Sequence, residues 1–366
     1  MVIKTMDQEE DARNVRPWQD LPDVLLQRIC NQLSLVESIQ FGAVCKAWNT
    51  VSQCYQHVHN HHPWLQIPTI PLMKHLSSTN HEQVRDVFWP KNCFTNRCIG
   101  ASQGCLIMRT SSVDEAQHLY LWNPFSKSPI IDLPPDRPFI QIILSSPPRP
   151  GRGGCVVFGY RFRTPRILFC NLGDKNWTCL DKEPKKLLTA VAFKGKFYAL
   201  DYRADLYEID VDRRTFKVLE VSGSMKSVHD KLDIRNATTL YLVESCGEIL
   251  TVITRTGNPK KVSDFVIFRL DLPNLEWVKM DDLGGRVLYL GDYSAISSPS
   301  VCCCRNEDRC YKTTDNRIFF SSMWSMAKAA WQVFNMKDGT VELGSGSKII
   351  AMDSRIQRNW ILPNFE

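Results

Sequence analysis

The sequence predicts a mainly β protein in which a small three-helix module at the N-terminus precedes a six- or seven-bladed β-propeller. One observation is a helical period of apolar residues in residues 18–51. Another is a series of short strand-like runs, separated by turn residues, beyond Phe88. A hairpin pattern recurs along those runs, which favours propeller blades over a two-sheet sandwich.

The composition is that of a soluble globular protein. The chain has 366 residues, of which 43% are hydrophobic and 23% charged, enough for one large and one small domain. Its formal net charge of +6 is far from the concentrated positive charge of a dedicated nucleic-acid binder. Met1–Asp11 lack the apolar core of a secretory signal. No run approaches the ~20 apolar residues that span a bilayer. We therefore expect a protein of the cytoplasm and/or nucleus.

Fourteen cysteines are present, and their placement argues against a disulfide framework. A free cysteine behaves as a small buried hydrophobe, and a reducing compartment keeps such thiols unpaired. We expect reduced, structural cysteines. Those that fall within strand-like apolar runs are Cys105, Cys155, Cys170, Cys179 and Cys246.

Residues 18–51 predict three short helices. Pro22 and Asp23 suit the first turn of the first helix. Ser34 and Glu37 form a capping box that starts the second. Apolar residues recur along the first and third helices: Leu21, Val24, Leu25, Leu26, Ile29, Leu33, Val44, Cys45, Trp48 and Val51.

Helices this short cannot bury such wide apolar stripes among themselves, so the stripes need a partner. Periodicity alone favours packing on the rest of the chain. A helix-turn-helix DNA-binding module is disfavoured, because Arg28 and Lys46 are the only basic residues in the segment that could contact phosphates.

Two pieces of this segment, WQDLPDVLLQRICNQL from Trp18 and FGAVCKAW from Phe41, resemble an F-box. They depart from the family pattern at Cys30, where leucine is common, and at Gly42, where a basic residue is common. The resemblance implies docking to a Skp-type adaptor, and through it to a cullin, by burial of aliphatic side chains in a partner. The residues to which it assigns adaptor contact are Leu21, Pro22, Leu25, Leu26, Ile29, Leu33, Val36, Val44, Cys45 and Trp48.

The predicted organisation has a disordered N-terminus at residues 1–16, the F-box at 17–56, a linker and entry to the propeller at 57–90, and the propeller at 91–366. Pro63, Pro68 and Pro71 indicate the linker. The histidine cluster at 57–62 has no cysteine or carboxylate at ligand spacing, so we interpret it as solvated and not as a metal site.

The strand-rich part repeats one kind of hairpin. A strand ends near Asp or Asn, a polar turn follows, and an aromatic residue opens the next strand, as in Phe169–Trp177, Tyr207–Phe216 and Phe268–Trp277. The diglycine of kelch repeats and the Trp-Asp of WD repeats are missing. Because propellers commonly pair their chain ends in one blade, Trp360–Phe365 is predicted as the last strand. Other strands are predicted at Leu119–Trp122, Ile167–Cys170, Lys196–Leu200, Asp205–Ile209, Phe265–Leu270 and Gln332–Asn335, with a turn at Asp201–Arg203.

Several of these runs resemble, in family order, the plant KIB-type β-propeller. They include RCIGASQG from Arg97, FKGKFYALD from Phe193, YLVESCG from Tyr241 and RIFF from Arg317. Cys105 departs from that family, in which tryptophan often follows the glycine. The family commonly carries an N-terminal F-box. Together the resemblances imply the substrate-recognition subunit of a Skp–cullin–F-box ubiquitin ligase, which binds a protein target and has no catalytic residues of its own.

Other candidate sites carry weaker signals. Cys302–Cys304 and Cys310 lack the paired spacing of a zinc site. Residues 151–154 lack the lysine of a phosphate-binding loop. Asp281 and Asp282, beside two glycines, favour a loop over a cation site. We predict neither a metal nor a cofactor.

Arginines are interleaved with aromatic residues between 137 and 166. We interpret Phe158-x-Tyr160-x-Phe162 as a strand with aromatics inward and arginines outward. RNA binding would use the same residue types, and a ligase-independent propeller that binds RNA or a small ligand is the alternative function. We expect a protein target on one propeller rim, with neither membrane nor nucleic acid as partner. The candidate target-binding residues are Arg149, Arg152, Arg203, Arg305 and Arg309.

Overall fold

A computed structural model of the chain separates into two compact units, residues 1–61 and 62–366. The described residues are 18, 21–30, 41–51, 64–68, 74–78, 84–86, 97–110, 118–125, 129–135, 141–149, 154–161, 166–180, 186–225, 239–257, 261–292, 294–299, 316–321, 331–343 and 359–361. The expected disordered segment at 1–16 lies outside them, as does the histidine cluster at 57–62.

The first unit contains helix α1, Asp23–Cys30, and further helical residues at 41–42 and 46–51. Asp23 lies in the first turn and Arg28 in the last, the arrangement that the helix dipole favours. Leu26, Cys30, Phe41 and Val51 form a small buried core. The capping box at Ser34–Glu37 and the second predicted helix lie outside the described residues.

The second unit is built from strands. Its first seven are β1 (Trp64–Pro68), β2 (Lys74–Ser78), β3 (Val84–Asp86), β4 (Arg97–Ser102), β5 (Cys105–Arg109), β6 (Leu119–Trp122) and β7 (Ile131–Leu133). There follow β8 (Gln141–Leu144), β9 (Val156–Tyr160), β10 (Ile167–Asn171), β11 (Thr178–Cys179), β12 (Leu187–Phe193), β13 (Lys196–Asp201), β14 (Leu206–Asp210) and β15 (Thr215–Leu219).

The remaining strands are β16 (Ser222–Gly223), β17 (Leu240–Ser245), β18 (Glu248–Gly257), β19 (Lys261–Asp271), β20 (Glu276–Met280), β21 (Arg286–Leu290), β22 (Ala295–Pro299), β23 (Arg317–Phe320), β24 (Gln332–Asn335), β25 (Thr340–Leu343) and β26 (Asn359–Ile361).

Consecutive strands form consecutive sheets. We name the first blade β4–β7, the second β8–β11, the third β12–β15, the fourth β17–β20 and the fifth β21–β25. Strand β16 joins the fourth blade in parallel beside β20. A further sheet, which we name the closing sheet, has the order β26-β1-β2-β3 and so contains strands from near both chain ends.

The sheets follow one another around a ring. One edge strand of each sheet contacts that of the next in the closed cycle β4, β8, β12, β17, β22, β26 and β4 again. The protein is therefore mainly β with a β-propeller, as predicted. The count of five blades differs from the predicted six or seven. The closing sheet is named apart from these five because it combines strands that are distant in sequence.

Each blade buries both of its faces against its neighbours. Along β18, Ile249 and Ile253 pack against the third blade, whereas Leu250 and Val252 pack against the fifth. This alternation follows from the two-residue period of a strand. The apolar core is consequently a series of layers between successive blades.

Polar contacts link the edge strands around the ring. Backbone N–H groups of one edge strand repeatedly donate to side chains of the preceding one, so these N–H groups are satisfied across the boundary between sheets. These contacts are Leu144 N to Ser102 Oγ (3.0 Å), Ala190 N to Gln141 Oε1 (3.4 Å), Leu242 N to Thr189 Oγ1 (3.1 Å), Ser245 Oγ with Ser297 Oγ (2.6 Å), Trp360 N to Ser294 Oγ (2.8 Å), and Asn359 Nδ2 to Cys98 Sγ (3.6 Å).

Strand β26 pairs antiparallel with β1, so the predicted pairing of the chain ends is confirmed for residues 359–361. Trp360 is fully buried and contacts Tyr289 edge-on, with ring centroids 5.2 Å apart. Its indole Nε1 donates to the Leu290 carbonyl at 3.1 Å. The terminal strand is thus fixed to both the closing sheet and the fifth blade.

The six strands predicted from the sequence are all present. Five agree with the observed bounds to within one residue, and the strand predicted at Phe265–Leu270 begins four residues earlier, at Lys261. The three predicted hairpins are the antiparallel pairs β10–β11, β14–β15 and β19–β20. The segment predicted as linker and entry to the propeller, 57–90, contains β1, β2 and β3. Pro63 precedes β1 and Pro68 ends it, positions at which a missing N–H is tolerated in a sheet.

The cysteine prediction holds at three of five positions. Cys105, Cys155 and Cys170 are buried and free, whereas Cys179 and Cys246 are exposed. Cys246 lies in the turn between β17 and β18 with φ of 52°, so it does not belong to an apolar strand. Cys179 ends the two-residue strand β11 at the outer edge of the second blade.

Among the described residues, no helix is long and apolar enough to cross a membrane.

Candidate functional site

Helix α1 carries two apolar stripes, one residue apart. Leu26 and Cys30 face the core of the first unit. Leu25 and Ile29, also four residues apart, are 43% and 39% exposed. Since residues i and i+4 lie on one helix face, the second stripe is an outward-facing apolar surface.

Other large apolar side chains of the first unit are exposed as well. Of the eight large hydrophobic residues that are exposed in the described part of the chain, five belong to this small unit: Trp18, Val24, Leu25, Ile29 and Val44. Clusters of this kind on a soluble protein mark surfaces that a partner covers. We call these five residues the apolar face.

Trp48 contacts both the core of the first unit and the apolar face. Its ring stacks on buried Phe41 with centroids 4.4 Å apart, and its Nε1 donates to the Trp18 carbonyl at 3.1 Å. Trp48 is therefore half-buried and holds the segment at Trp18 against the 46–51 helix. Trp48 therefore holds Phe41 and Trp18 in position, and part of its own side chain stays exposed to solvent.

The predicted adaptor-contact residues fall into three groups. Pro22, Leu25, Ile29 and Val44 are exposed, and Leu21, Cys45 and Trp48 are half-buried. Leu26, which was also predicted to contact the adaptor, is fully buried and packs in the core of the first unit. Leu33 and Val36 lie outside the described residues.

The candidate arginines of the propeller do not share one end. Gln141 begins β8, and its Oε1 lies 2.8 Å from the hydroxyl of Tyr160, the last residue of β9. The same hydroxyl lies 2.8 Å from the Leu188 carbonyl near the start of β12. The β9–β10 connection and the start of β12 are therefore on one end of the ring. The β13–β14 turn is on that end too, because Asp201 pairs with Leu187.

Arg203 lies in this turn, so we name this end the Arg203 end. Arg149 follows the other terminus of β8 and lies at the opposite end, which we name the Arg149 end. The two residues therefore do not share one rim, so a target-binding site on a single rim can include only one of them. The order of strands along the sequence does not by itself show which end of the ring a loop occupies. Successive turns of an antiparallel sheet alternate between its two ends, so the end depends on the position of the loop within its sheet. Arg152, Arg305 and Arg309 lie outside the described residues.

Asp201 fixes the conformation of the β13–β14 turn. Its fully buried carboxylate accepts hydrogen bonds from the backbone N–H groups of Arg203 (2.8 Å) and Asp205 (2.9 Å) and from the Tyr207 hydroxyl (3.2 Å). The turn presents Tyr202 and Arg203 to solvent, with the guanidinium 5.3 Å from the centroid of the Tyr202 ring. This pair is thus held in a defined place before any partner arrives.

Two carboxylates of the fourth blade form ion pairs within the propeller. The Glu248 carboxylate lies between Arg286 of the fifth blade (2.6 Å) and Arg269 of its own blade (3.2 Å). Asp281 pairs with Lys279 at 2.8 Å. Hydrogen bonds from the Gly284 backbone and the Asn316 side chain hold the pKa of Asp282 below its usual value.

These contacts favour the loop interpretation of Asp281 and Asp282 over a cation site. In the part of the chain that the structure describes, no three His, Cys, Asp or Glu side chains are grouped as a metal site. Cys302–Cys304, Cys310 and residues 151–153 are not described.

The aromatic residues of the arginine-rich stretch point into the core. Phe158 and Tyr160 are buried, and Phe158 stacks on Phe197 with centroids 4.5 Å apart, which confirms the inward orientation. Since bases stack only on accessible rings, these two side chains are unsuited to RNA binding. Phe162 and Arg163 lie outside the described residues.

Two exposed residues of the propeller were not singled out as candidate binding residues. Tyr202 is predicted only as part of a turn. Leu188 lies within a strand-like apolar run, and its neighbours Leu187 and Thr189 are both buried in the structure, so no local pattern sets Leu188 apart. Only the irregular pairing of β12 with β13 between Leu187 and Thr189 turns Leu188 outward.

Comparison with protein families finds two matches. The KIB1-4 beta-propeller family model matches residues 75–341, and the F-box domain model matches residues 18–56. The boundary between the two matches agrees with the division into two compact units.

Curated relatives come from Arabidopsis thaliana. An F-box/kelch-repeat protein is 26% identical over 81% of this chain and 82% of its own length. An F-box protein is 28% identical over 46% of this chain and 44% of its own length. A second F-box protein is 23% identical over 77% of this chain and 73% of its own.

Among solved structures, TolB from Acinetobacter baumannii is 12% identical over 87% of this chain and 72% of that chain, with a TM-score of 0.42. A similarity at this level does not bear on function.

Proposed function

Because the chain belongs to the KIB1-4 β-propeller family and carries an F-box, we propose that it is the substrate-recognition subunit of a Skp–cullin–F-box ubiquitin ligase. In this role the F-box docks a Skp-type adaptor, which connects the chain to a cullin. The propeller binds a protein target. The chain contributes no catalytic residue and no cofactor, and works in the cytoplasm and/or nucleus.

The apolar face is the observation that carries this proposal. Leu25, Ile29 and Val44 are exposed large aliphatic residues of the F-box unit, where solvent exposure is unfavourable unless a partner covers them. Helix-in-groove recognition uses aliphatic anchors at such i and i+4 positions. Leu26, Phe41 and Val51 keep α1 oriented for it.

The test replaces Leu25 and Ile29 with aspartate in the full chain. Both residues lie outside the core of the unit, so the fold should persist. Burying two carboxylates in an apolar groove should weaken adaptor binding about 100-fold or more, measured by isothermal titration with a purified plant Skp-type adaptor.

Val218→Asp is the matched control, since Val218 is an equally exposed aliphatic residue on the outer strand β15 of the propeller. It should bind the adaptor like the unchanged chain. Undiminished binding by the Leu25→Asp, Ile29→Asp variant would refute the assignment of the apolar face.

We also propose that the closing sheet acts as a sixth blade. This is supported by its four strands, by contacts of β26 with the fifth and first blades, and by the hydrogen bonds of Asn359 and Trp360 to both neighbours.

A further inference from the structure

Exposed apolar residues are rare on the propeller, and two of them are close together. In its described part, only Leu188, Tyr202 and Val218 are large, apolar and exposed. Leu188 directly follows Leu187, which pairs with Asp201, and Tyr202 directly follows Asp201. The Tyr202 backbone N–H also donates to the Lys186 carbonyl at 3.3 Å. Leu188, Tyr202 and Arg203 are therefore exposed residues beside one pair of strand positions, and we name these three residues the Arg203 patch.

Local backbone structure holds the residues of the Arg203 patch in their exposed positions. A β-bulge turns Leu188 outward between two buried residues, and bulges of this kind re-aim side chains. The buried Asp201 carboxylate holds the turn that carries Tyr202 and Arg203. Ala204, directly after them, adopts a left-handed φ of 60°, which a non-glycine residue adopts only at a cost that the surroundings offset.

The end of the ring that carries the patch is predominantly cationic across three neighbouring blades. Leu144 N bonds Ser102 Oγ at the Arg149 end, so the start of β4, with Arg97, lies at the Arg203 end. Arg97 is the direct cross-strand partner of Arg109, and like charges so placed repel each other. Burial, followed by the charge of Arg97, lowers the pKa of Arg109. The described cationic residues here are Arg97, Arg109, Arg161, Arg166, Lys186 and Arg203.

Within these three blades, the described carboxylates at the same end are fewer and in part engaged. Asp201 is buried in its turn. Asp132 lies 3.0 Å from Nε2 of His118. Asp205 and Glu220 are the others. A partner that covers the patch therefore meets an environment that favours negative charge.

We propose that the Arg203 patch docks an acidic segment of the protein target, in which an aliphatic or aromatic side chain contacts Leu188 and Tyr202 and a flanking carboxylate pairs with Arg203. This inference rests on the proposed function and names the chemistry of its target. Tyrosine and arginine are the residue types that most often dominate protein interfaces, and a preformed turn lowers the entropic cost of binding.

The experiment selects peptides from a phage-displayed random library on the full chain and measures the enriched peptides, made synthetically, by fluorescence anisotropy. Enriched sequences should carry Asp or Glu beside an aliphatic or aromatic residue. Arg203→Glu and Leu188→Asp should each weaken binding about 30-fold, the loss typical of a hot-spot residue. A peptide with lysine in place of the acidic residue should regain affinity for the Arg203→Glu variant.

Two matched controls lie on the same blade. Arg213→Glu reverses an exposed arginine in the β14–β15 turn, at the Arg149 end. Val218→Asp changes the third exposed apolar residue, on the outer strand. Both should bind the peptides like the unchanged chain, and all four variants should keep its melting temperature within a few degrees.

Three results would overturn the proposal: no enrichment of acidic peptides, equal losses in the control variants, or binding of poly(U) RNA that depends on Arg203 in the absence of peptide binding. Adaptor titration on the same preparations separates this outcome from failure of the proposed function, because the F-box and the patch belong to different units.

Discussion

At the scale of single residues, three cysteines of the propeller have buried, free thiols. Cys105, Cys155 and Cys170 lie together in the layer between the first and second blades. Burial, followed by the proximity of Cys155, raises the pKa of the Cys105 thiol to about 12. Burial, followed by Asp174 and Cys155, raises that of Cys170 to about 12. Such thiols are protonated at physiological pH and unreactive, which suits a structural role.

These shifts predict a loss of stability in alkali. The unfolded chain releases a cysteine proton near pH 9.0, whereas the folded chain retains the protons of Cys105 and Cys170 to about pH 12. The stabilisation is fully present below pH 9.0 and is lost as pH rises to about 12, with a slope of about 1.4 kcal/mol per pH unit for each thiol. Urea unfolding at several pH values between 9 and 12 should show it.

Replacement of Cys105 or Cys170 by alanine should lower the steepness of this decline by about that amount, whatever its effect at neutral pH. Cys246→Ala, which changes an exposed cysteine, should leave the steepness unchanged. Equal pH dependence in all three variants would show that the buried thiols do not account for the decline.

At the scale of residues, the sequence does not show in which direction an individual side chain points. Periodicity identified Leu25, Leu26 and Ile29 as one apolar stripe, but not that Leu26 packs inward while its neighbours face solvent. Leu188 escaped notice because a β-bulge depends on the register with the neighbouring strand, which no local pattern encodes.

At the scale of elements, local patterns succeeded where a strand is apolar on both faces and ends at a polar turn. Runs such as Leu119–Trp122 satisfy this and are strands with all four residues buried. Strands β1 to β3 fall in the segment predicted as linker and entry to the propeller, because prolines and histidines surround them. The partner of β1 in the sheet, β26, is distant in sequence. Likewise, β21 pairs directly and in parallel with β23, although β22 lies between them in the sequence, and sequence order does not suggest this pairing.

Cross-blade hydrogen bonds yield a prediction at this scale. Thr189 Oγ1 accepts the backbone N–H of Leu242 from the next blade, and both residues are buried. Thr189→Val keeps the shape but leaves this N–H unsatisfied, which should destabilise the propeller by about 1–3 kcal/mol. The measurement is urea unfolding followed by tryptophan fluorescence.

Thr251→Val is the matched control, on strand β18. The Thr251 hydroxyl is buried, and in the described structure its oxygen has no hydrogen-bond partner. Removing it should be neutral or stabilising by about 1 kcal/mol, since an unsatisfied buried hydroxyl is itself costly. Equal destabilisation by both substitutions would mean that the contact to Leu242 has no special weight.

At the scale of the whole molecule, the two proposed binding surfaces belong to different compact units. The apolar face belongs to residues 18–51, and the Arg203 patch to the third blade. An F-box followed by a KIB-type propeller could be predicted from the sequence because both contain local motifs. The sequence could not predict which propeller end carries a given loop, since that depends on how strands alternate in the folded sheet, as Arg149 and Arg203 illustrate.

Closure of the ring by β26 leads to the final prediction. Deleting residues 359–366 removes Trp360 from its fully buried site and exposes the edge of β1, which pairs with it. The shortened chain should aggregate or lose its cooperative unfolding transition. Deleting 362–366 spares β26 and should preserve the transition, and deleting 1–56 should leave a folded β domain. Circular dichroism with thermal unfolding distinguishes them. A cooperative transition in the chain that ends at residue 358 would show that the ring does not need this strand.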